Sequence, residues 1–369
     1  MLILVANLGS TSFKFKLLDM DHAGDEVARG DYERIGQPNS PYKNHGDVIE
    51  VILKNLEHRP DAIGFKAVHG GPISGAVRVN AEVISTMERF SDVAPAHNPP
   101  YIAAMKAFAA RHPDVPQVAA FETAFHQTIP LSRQTYAIPH EWTEQLGIRR
   151  YGFHGASHRY IATRMRELNP SARRVISCHL GGSCSVCAID AGKSVANSFG
   201  MTVQSGLPHN NRVGDFDTFT LLKLMKQGLT LDEIFRRLGK ESGMLGMSGV
   251  SPDMRDIEKA AAAGNARAKL AIDTFVEAVR HYIGAYLVIL GGCDALVFTA
   301  GIGENGVALR DAICRNLHFA GIILDPVKNT VRGKEAKISS VESNAEIWVV
   351  PANEELIVAQ QTVSVLTAN

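Results

Sequence analysis

The sequence has no disulfide framework, no excess charge of either sign and no clean apolar run long enough to cross a bilayer, and each absence removes a class of function. Its five cysteines, Cys178, Cys184, Cys187, Cys293 and Cys314, do not make the dense pattern of a small secreted domain. Cys184 and Cys187 have Cys-x-x-Cys spacing, but side chains three apart on a strand face opposite ways, so they are expected to fill a sheet rather than hold a metal or a redox pair. With 38 basic and 38 acidic residues and no block of like charge, a general nucleic-acid or anionic-membrane surface is excluded. Any anion site must be local. The most apolar long stretch, 268–290, carries Asp273, Glu277, Arg280 and His281, so it is expected to be a buried or interface helix. Met1–Ala6 is too short for the apolar region of a signal peptide and lacks a basic lead-in, which makes the cytoplasm the expected location.

What is present is a repeat. An apolar run, Leu2-Ile3-Leu4-Val5, leads into Asn7-Leu8-Gly9-Ser10-Thr11-Ser12 and a second apolar run. Much later Val175-Ile176-Ser177-Cys178 leads into His179-Leu180-Gly181-Gly182-Ser183-Cys184 in the same way. Each copy reads as strand, tight turn, strand. Turns of this kind are rich in free backbone N–H groups and hydroxyls, and two facing each other would clamp a polyphosphate. A chain of 369 residues, 45% hydrophobic and 21% charged, is also longer than one typical core, so two domains with a cleft between them are expected.

Strands and helices alternate along the chain, which implies a mixed α/β sheet in each half. A strand at 62–68 runs into His69-Gly70-Gly71-Pro72, a helix begins near Pro99-Pro100, and a strand follows at 117–121. The pattern restarts with the loop Tyr151-Gly152-Phe153-His154-Gly155. Helices are predicted at about 216–227, 231–239, 253–263 and 266–290, strand 295–299 enters Gly301-Ile302-Gly303-Glu304-Asn305-Gly306, and strand 347–350 enters Asn353-Glu354-Glu355 and a last helix.

In order, Asn-x-Gly-Ser-x-Ser-x-Lys at 7–14, Val-His-Gly-Gly at 68–71, Ala-Pro-x-His-Asn at 94–98, Thr-Ala-Phe-His-Gln at 123–127, Arg-Tyr-Gly-Phe-His-Gly at 150–155, Cys-His-Leu-Gly at 178–181, Thr-Ala-Gly-Ile-Gly-Glu-Asn at 299–305 and Asn-Glu-Glu-Leu at 353–356 cover nearly the whole chain. The ordered set resembles the acetate kinase family of the acetate and sugar kinase, heat-shock protein 70 and actin superfamily. The resemblance implies a duplicated ribonuclease H-like α/β fold, with residues 1–126 plus 356–369 as one domain and 127–355 as the other. It further implies a homodimer through the second domain, and reversible transfer of the terminal phosphoryl of ATP to acetate or another short acid with magnesium (or manganese).

It also implies roles residue by residue. Arg212 would grip the carboxylate and the transferring phosphoryl, since a guanidinium donates in pairs to planar oxyanions. His154 would hydrogen-bond the phosphoryl, with His97 and His179 as further site imidazoles. No general base is required, because a carboxylate nucleophile is ionised at neutral pH. Asn7 and Glu354 would associate with magnesium, which prefers hard oxygen ligands. Ser10, Ser12 and Lys14 form the first phosphate loop, and His179, Gly181 and Gly182 the second; Asp253, Arg255, Gly301, Gly303 and Asn305 match the adenosine-binding part. Val68, Ala96, Phe153 and Val203 would line the acid pocket beside Lys66 and Arg212.

Several positions depart from the family pattern. Lys66 stands for an arginine, Glu122 for an aspartate that orients the metal or its waters, and Gly182 for an asparagine that contacts the donor phosphates. Ala96 and Val203 replace a leucine and a proline, so the acid pocket is expected to be wider, with room for propionate. These changes leave open a weakened or pyrophosphate-using homologue, or a nucleotide-binding regulatory protein on the same fold. Two other patterns are set aside: Gly301-x-Gly303-x-x-Gly306 with Asp325 fits a dinucleotide fingerprint but leaves the two hairpins unexplained, and Gly192-Lys193-Ser194 lacks the first glycine of a P-loop at Cys187.

Overall fold

Both halves of the chain begin as a three-strand meander and then add parallel strands on its inner side. The structure, a computed structural model, describes residues 1–9, 11–37, 40–91 and 97–368. In the first half the strands are β1 (Leu2–Leu8), β2 (Phe13–Asp19), β3 (Asp25–Tyr32), β4 (Ala62–Ala67), β5 (Ala76–Arg78) and β6 (Gln117–Phe121), in the order β3-β2-β1-β4-β6-β5. In the second half they are β7 (Arg174–Leu180), β8 (Cys184–Asp190), β9 (Lys193–Asn197), β10 (Ala295–Thr299), β11 (Ala336–Lys337) and β12 (Glu346–Val349), in the order β9-β8-β7-β10-β12-β11. The two sheets match strand for strand: two antiparallel pairs, two parallel pairs and an antiparallel edge. The duplication expected from the echoed turns is therefore one of whole sheets.

Parallel central strands have both faces covered, so they read as continuous apolar runs. Every residue of β10, and all but the first of β7, is buried. One face of the second sheet packs on the 25-residue helix Ala266–Leu290 through Phe275, Val279 and Ile283. Among the described residues no helix is long and apolar enough to cross a membrane. Cys184 and Cys187 lie on opposite faces of β8 in different core clusters, and all five cysteines are buried and free.

The core under the first sheet joins helices His45–Asn55 and Asn98–Arg111 to Tyr151, Phe153, Phe199 and Val203 from the second half. The last helix, Glu354–Thr367, returns to the first sheet and packs on β1, β4 and β6. Gly64 permits this approach, because a Cβ there would stand 2.5 Å from Thr362 Oγ1. The predicted helices appear at Thr220–Lys226, Leu231–Lys240, Met254–Ala262 and Ala266–Leu290. Strands β3 and β9 were not legible: β3 is an edge strand with no buried residue, so its sequence carries no apolar alternation.

Candidate active site

The loops at the carboxyl ends of the parallel strands of both sheets open toward one cleft, as in other open α/β sheets. A cavity of about 250 Å³ there is lined by Asn7 and Ser12 from the β1–β2 turn, Lys66 and Val68 from the end of β4, and His97, Glu122, Phe153, His154, Val203 and Arg212. The residues come from both halves of the chain, whose loops meet where Tyr151, Phe153, Phe199 and Val203 pack on the core of the first half.

At its floor lies a buried ion cluster. Lys66 Nζ is 3.3 Å from Glu122 Oε1 and pairs with Glu354 Oε2, with side-chain exposures of 16%, 5% and 13% for the three residues. Burial alone would lower the Lys66 ammonium, but Glu354 and Glu122 outweigh it and hold it above its usual range. Burial, with Glu354 nearby, raises Glu122 despite Lys66. Burial opposes ionisation of Glu354 too, but there the attraction of Lys66 and His179 prevails and its carboxyl is lowered. Glu122 Oε2 is buried without a hydrogen-bond partner among the described residues. Beside the cluster, Tyr101 Oη accepts from the Leu8 N–H at 3.0 Å and donates to Asn7 Oδ1 at 3.4 Å, fixing the amide at the cleft.

The imidazoles form a second layer. His154 sits at φ +57°, a left-handed conformation costing about 1 kcal/mol, immediately before helix Gly155–Leu168. Gly155 is required there, because a Cβ would lie 2.0 Å from the Glu122 carbonyl oxygen. The His154 ring stacks on His179, with centroids 4.0 Å apart. Behind them stand serines: Ser185 Oγ is 2.9 Å from His154 Nδ1 and 2.8 Å from His158 Nε2, Ser177 Oγ is 2.9 Å from His158 Nδ1, and Ser157 Oγ is 2.8 Å from His179 Nδ1. Burial holds His179 and His97 down to about 4 and His154 and His158 well below the usual histidine range, so all are neutral at pH 7. In His154 and His179 the hydrogen bond at Nδ1 leaves Nε2 as the atom for a ligand.

Arg212 is the cation of the site that has no acid to neutralise it. Its Nη1 donates to the Val203 carbonyl at 2.7 Å, and no ion pair involves it among the described residues. Burial depresses it to about 10. A desolvated guanidinium without a counter-ion, beside the apolar side chains of Val68, Phe153 and Val203, is suited to a small carboxylate.

A larger cavity, about 810 Å³, opens from the β7–β8 turn; Gly181, Gly182, Asp253, Arg255, Gly301 and Asn305 all line it. Asp253 caps helix Met254–Ala262, accepting from the Arg255 N–H at 2.9 Å, and its contacts with Arg255 hold it down to about 2. Gly303 does not line the cavity: its carbonyl accepts from Arg310 Nη1 at 2.8 Å behind the wall. Lys14 reaches the smaller cavity but is more than half exposed and bridges to Asp31 at 2.7 Å. Ser10 and Ala96 lie outside the described residues. Sequence reasoning missed Tyr101, the serine layer, Asn210, Glu258 and Arg332, and the fully buried Arg310, which donates to Asn329, Val331, Gly303 and Glu304. No local signal marks these, since each acts through a partner distant in sequence.

The profile of the acetokinase family matches residues 2–360. The acetate kinase of Dictyoglomus turgidum is 44% identical, over 99% of this chain and 98% of its own. The crystal structure of Porphyromonas gingivalis acetate kinase superposes with a TM-score of 0.91 at 38% identity, covering 99% of this chain and 100% of that one. A propionate kinase from Francisella tularensis gives 0.90 at 36% identity, covering 98% of both chains.

Proposed function

Since the chain belongs to the acetokinase family, whose duplicated ribonuclease H-like fold it shares, we propose that it transfers the terminal phosphoryl of ATP reversibly to the carboxylate of a short acid, giving acyl phosphate and ADP. The observation that carries this reading is Arg212, a desolvated cation with no internal acid partner, placed where a small apolar pocket meets the polar floor of the cleft.

The acceptor is ionised at neutral pH, so the protein has to position and neutralise rather than remove a proton. Arg212 orients the acid, whose short alkyl group rests against Val68, Phe153 and Val203. Charge developing on the transferred group is met by Arg212 and by Nε2 of His154. For His154 to donate from Nε2, its Nδ1 must accept from Ser185, and His158 then donates to Ser185 in turn. The neutral state of the rings supports this donor role, since a buried imidazolium beside Arg212 and Lys66 would be repelled.

The oxygens of Asn7, Glu122 and Glu354 fit a magnesium ion: they are hard donors, and the buried Glu122 Oε2 lacks a partner. Among the described residues no group of three or more His, Cys, Asp or Glu side chains could by itself hold a metal ion. When bound, the ion neutralises the donor phosphate oxygens. Ser10, Ser12, Lys14, His179, Gly181 and Gly182 would contact those phosphates, while Asp253, Arg255, Gly301 and Asn305 frame the nucleoside. The open 810 Å³ cavity supports a nucleotide over pyrophosphate as donor.

A domain division at 126/127 and 355/356 belongs to the same reading, supported by the return of helix Glu354–Thr367 to the first sheet. A homodimer through the second domain is supported by the exposed apolar side chains Phe219, Leu222, Met225 and Phe235. The cytoplasm is the proposed location, on the composition. The test is to trap acyl phosphate with hydroxylamine while crossing acetate, propionate and butyrate with ATP and pyrophosphate. Product with ATP and a short acid is expected; no product with any pair would favour a binding protein.

A further inference from the structure

The floor of the cleft holds two carboxylates and one ammonium, and both carboxylates offered to a metal are already engaged by Lys66 through one oxygen each. Lys66 Nζ pairs with Glu354 Oε2 and lies 3.3 Å from Glu122 Oε1. These side chains are buried, so their charges act on one another through little intervening water. One positive charge does not satisfy two negative ones, and Glu122, a residue of the cavity wall, keeps its Oε2 buried without a hydrogen-bond partner among the described residues. The cluster is short of one cation and one hydrogen-bond donor.

We infer that Lys66 is a tethered cation that holds the metal site when no nucleotide is bound, and that a divalent ion enters by exchange with its ammonium. An ion drawn to Glu354 competes for the oxygen that Lys66 holds, and like charges at such separation repel strongly in a buried site. The ammonium is compact and sits on a four-carbon stem with rotatable bonds, so it can leave the carboxylates without moving β4. The cavity it would swing into is the one lined by Arg212, where negative phosphoryl oxygens would replace Glu354 as its partner. Metal binding to the free protein is therefore weak, and metal and nucleotide bind better together than apart. Lys66 acts here as a positioning residue: it prevents two buried carboxylates from repelling each other in the empty site and gives them up when the metal arrives.

The inference rests on the reading of the site as a metal-assisted carboxylate kinase, and the experiment separates the two. Free Mn²⁺ is titrated by electron paramagnetic resonance into the nucleotide-free wild-type chain, Lys66→Met and Lys66→Arg, and the three are melted with and without Mn²⁺. Lys66→Met should bind Mn²⁺ at least tenfold more tightly than the wild type and gain more melting temperature from it. Lys66→Arg, which keeps the charge, should bind as weakly as the wild type. If Lys66→Met does not fold, Lys66→Gln, which is polar and uncharged, carries the same comparison. Equal or weaker Mn²⁺ binding by the neutral variant overturns the exchange. If the wild type still forms acyl phosphate in that case, only the exchange is lost; absence of both product and metal binding removes the reading of the site itself.

Discussion

Replacing Arg212 with alanine should cut phosphoryl transfer by orders of magnitude while leaving the stability of the fold nearly unchanged. A guanidinium held near 10 instead of 12.5 has its charged form disfavoured by about 3 kcal/mol. The sign follows from linkage: at every pH below the folded value the group is charged in both states, and the folded state carries the cost. Against this, alanine loses the 2.7 Å hydrogen bond to the Val203 carbonyl and the packing of the aliphatic stem, about 1 kcal/mol each. With the cavity that alanine leaves, these terms nearly cancel, so the variant should melt within a few degrees of the wild type. Turnover should fall by about a thousandfold or more, the scale of a lost arginine at a transferring phosphoryl, equivalent to about 4 kcal/mol. Differential scanning calorimetry with and without phosphate or acetate, alongside hydroxylamine trapping, provides the assay. The wild type should be stabilised by the anions and the variant should not. A variant that responds to anions as the wild type does would refute the view of Arg212 as an unpaired cation awaiting a ligand.

Three further outcomes follow from the packing. His97, His126 and His179, held near 4 by burial, are neutral in the fold but protonate near 6.5 when unfolded, so stability present above that value is lost as pH falls toward 4, by about 4 kcal/mol per pH unit for the three together. Melting temperature measured from pH 7 to 5 should drop steeply, and a flat profile would contradict the burial of these rings. Gly155→Ala should cost about 3 kcal/mol in urea denaturation, because its Cβ meets the backbone carbonyl of Glu122, which has no room to yield. Arg310→Lys should raise the KM for nucleotide at least tenfold with little change in that for the acid, because the carbonyls of Gly303 and Glu304 lose the donors that hold the nucleotide-cavity wall; equal effects on both substrates would show that Arg310 does not act through that wall.

The duplication was legible because its signals are local: an apolar run, a glycine-rich turn and a second run are consecutive residues, and the same order of types at 2–19 and 175–190 announces two copies of one sheet. The residues at strand ends were legible for a related reason, since a turn after a parallel strand must face the cleft. Strand β3 escaped because an exposed edge strand buries nothing and leaves no alternation to read. Gly303 looked equivalent to Gly301, yet one lines the larger cavity and the other lies behind its wall, a difference of rotation around one short helix.

Two related halves, a cleft between them and a set of candidate anion-binding side chains at strand ends can be read from the sequence alone, because backbone periodicity and turn chemistry are written in neighbouring residues. Only the tertiary structure decided what each charge does. Lys66 and Glu354 are far apart in sequence and form one ion pair; Arg212 lies in the same cavity as Lys66 and has none among the described residues. The histidines carry no mark of charge in the sequence and are made neutral by burial among serines from β7, β8 and helix Gly155–Leu168. Desolvation and partner choice are properties of enclosed space, and that space exists only once both sheets and the last helix have closed around it.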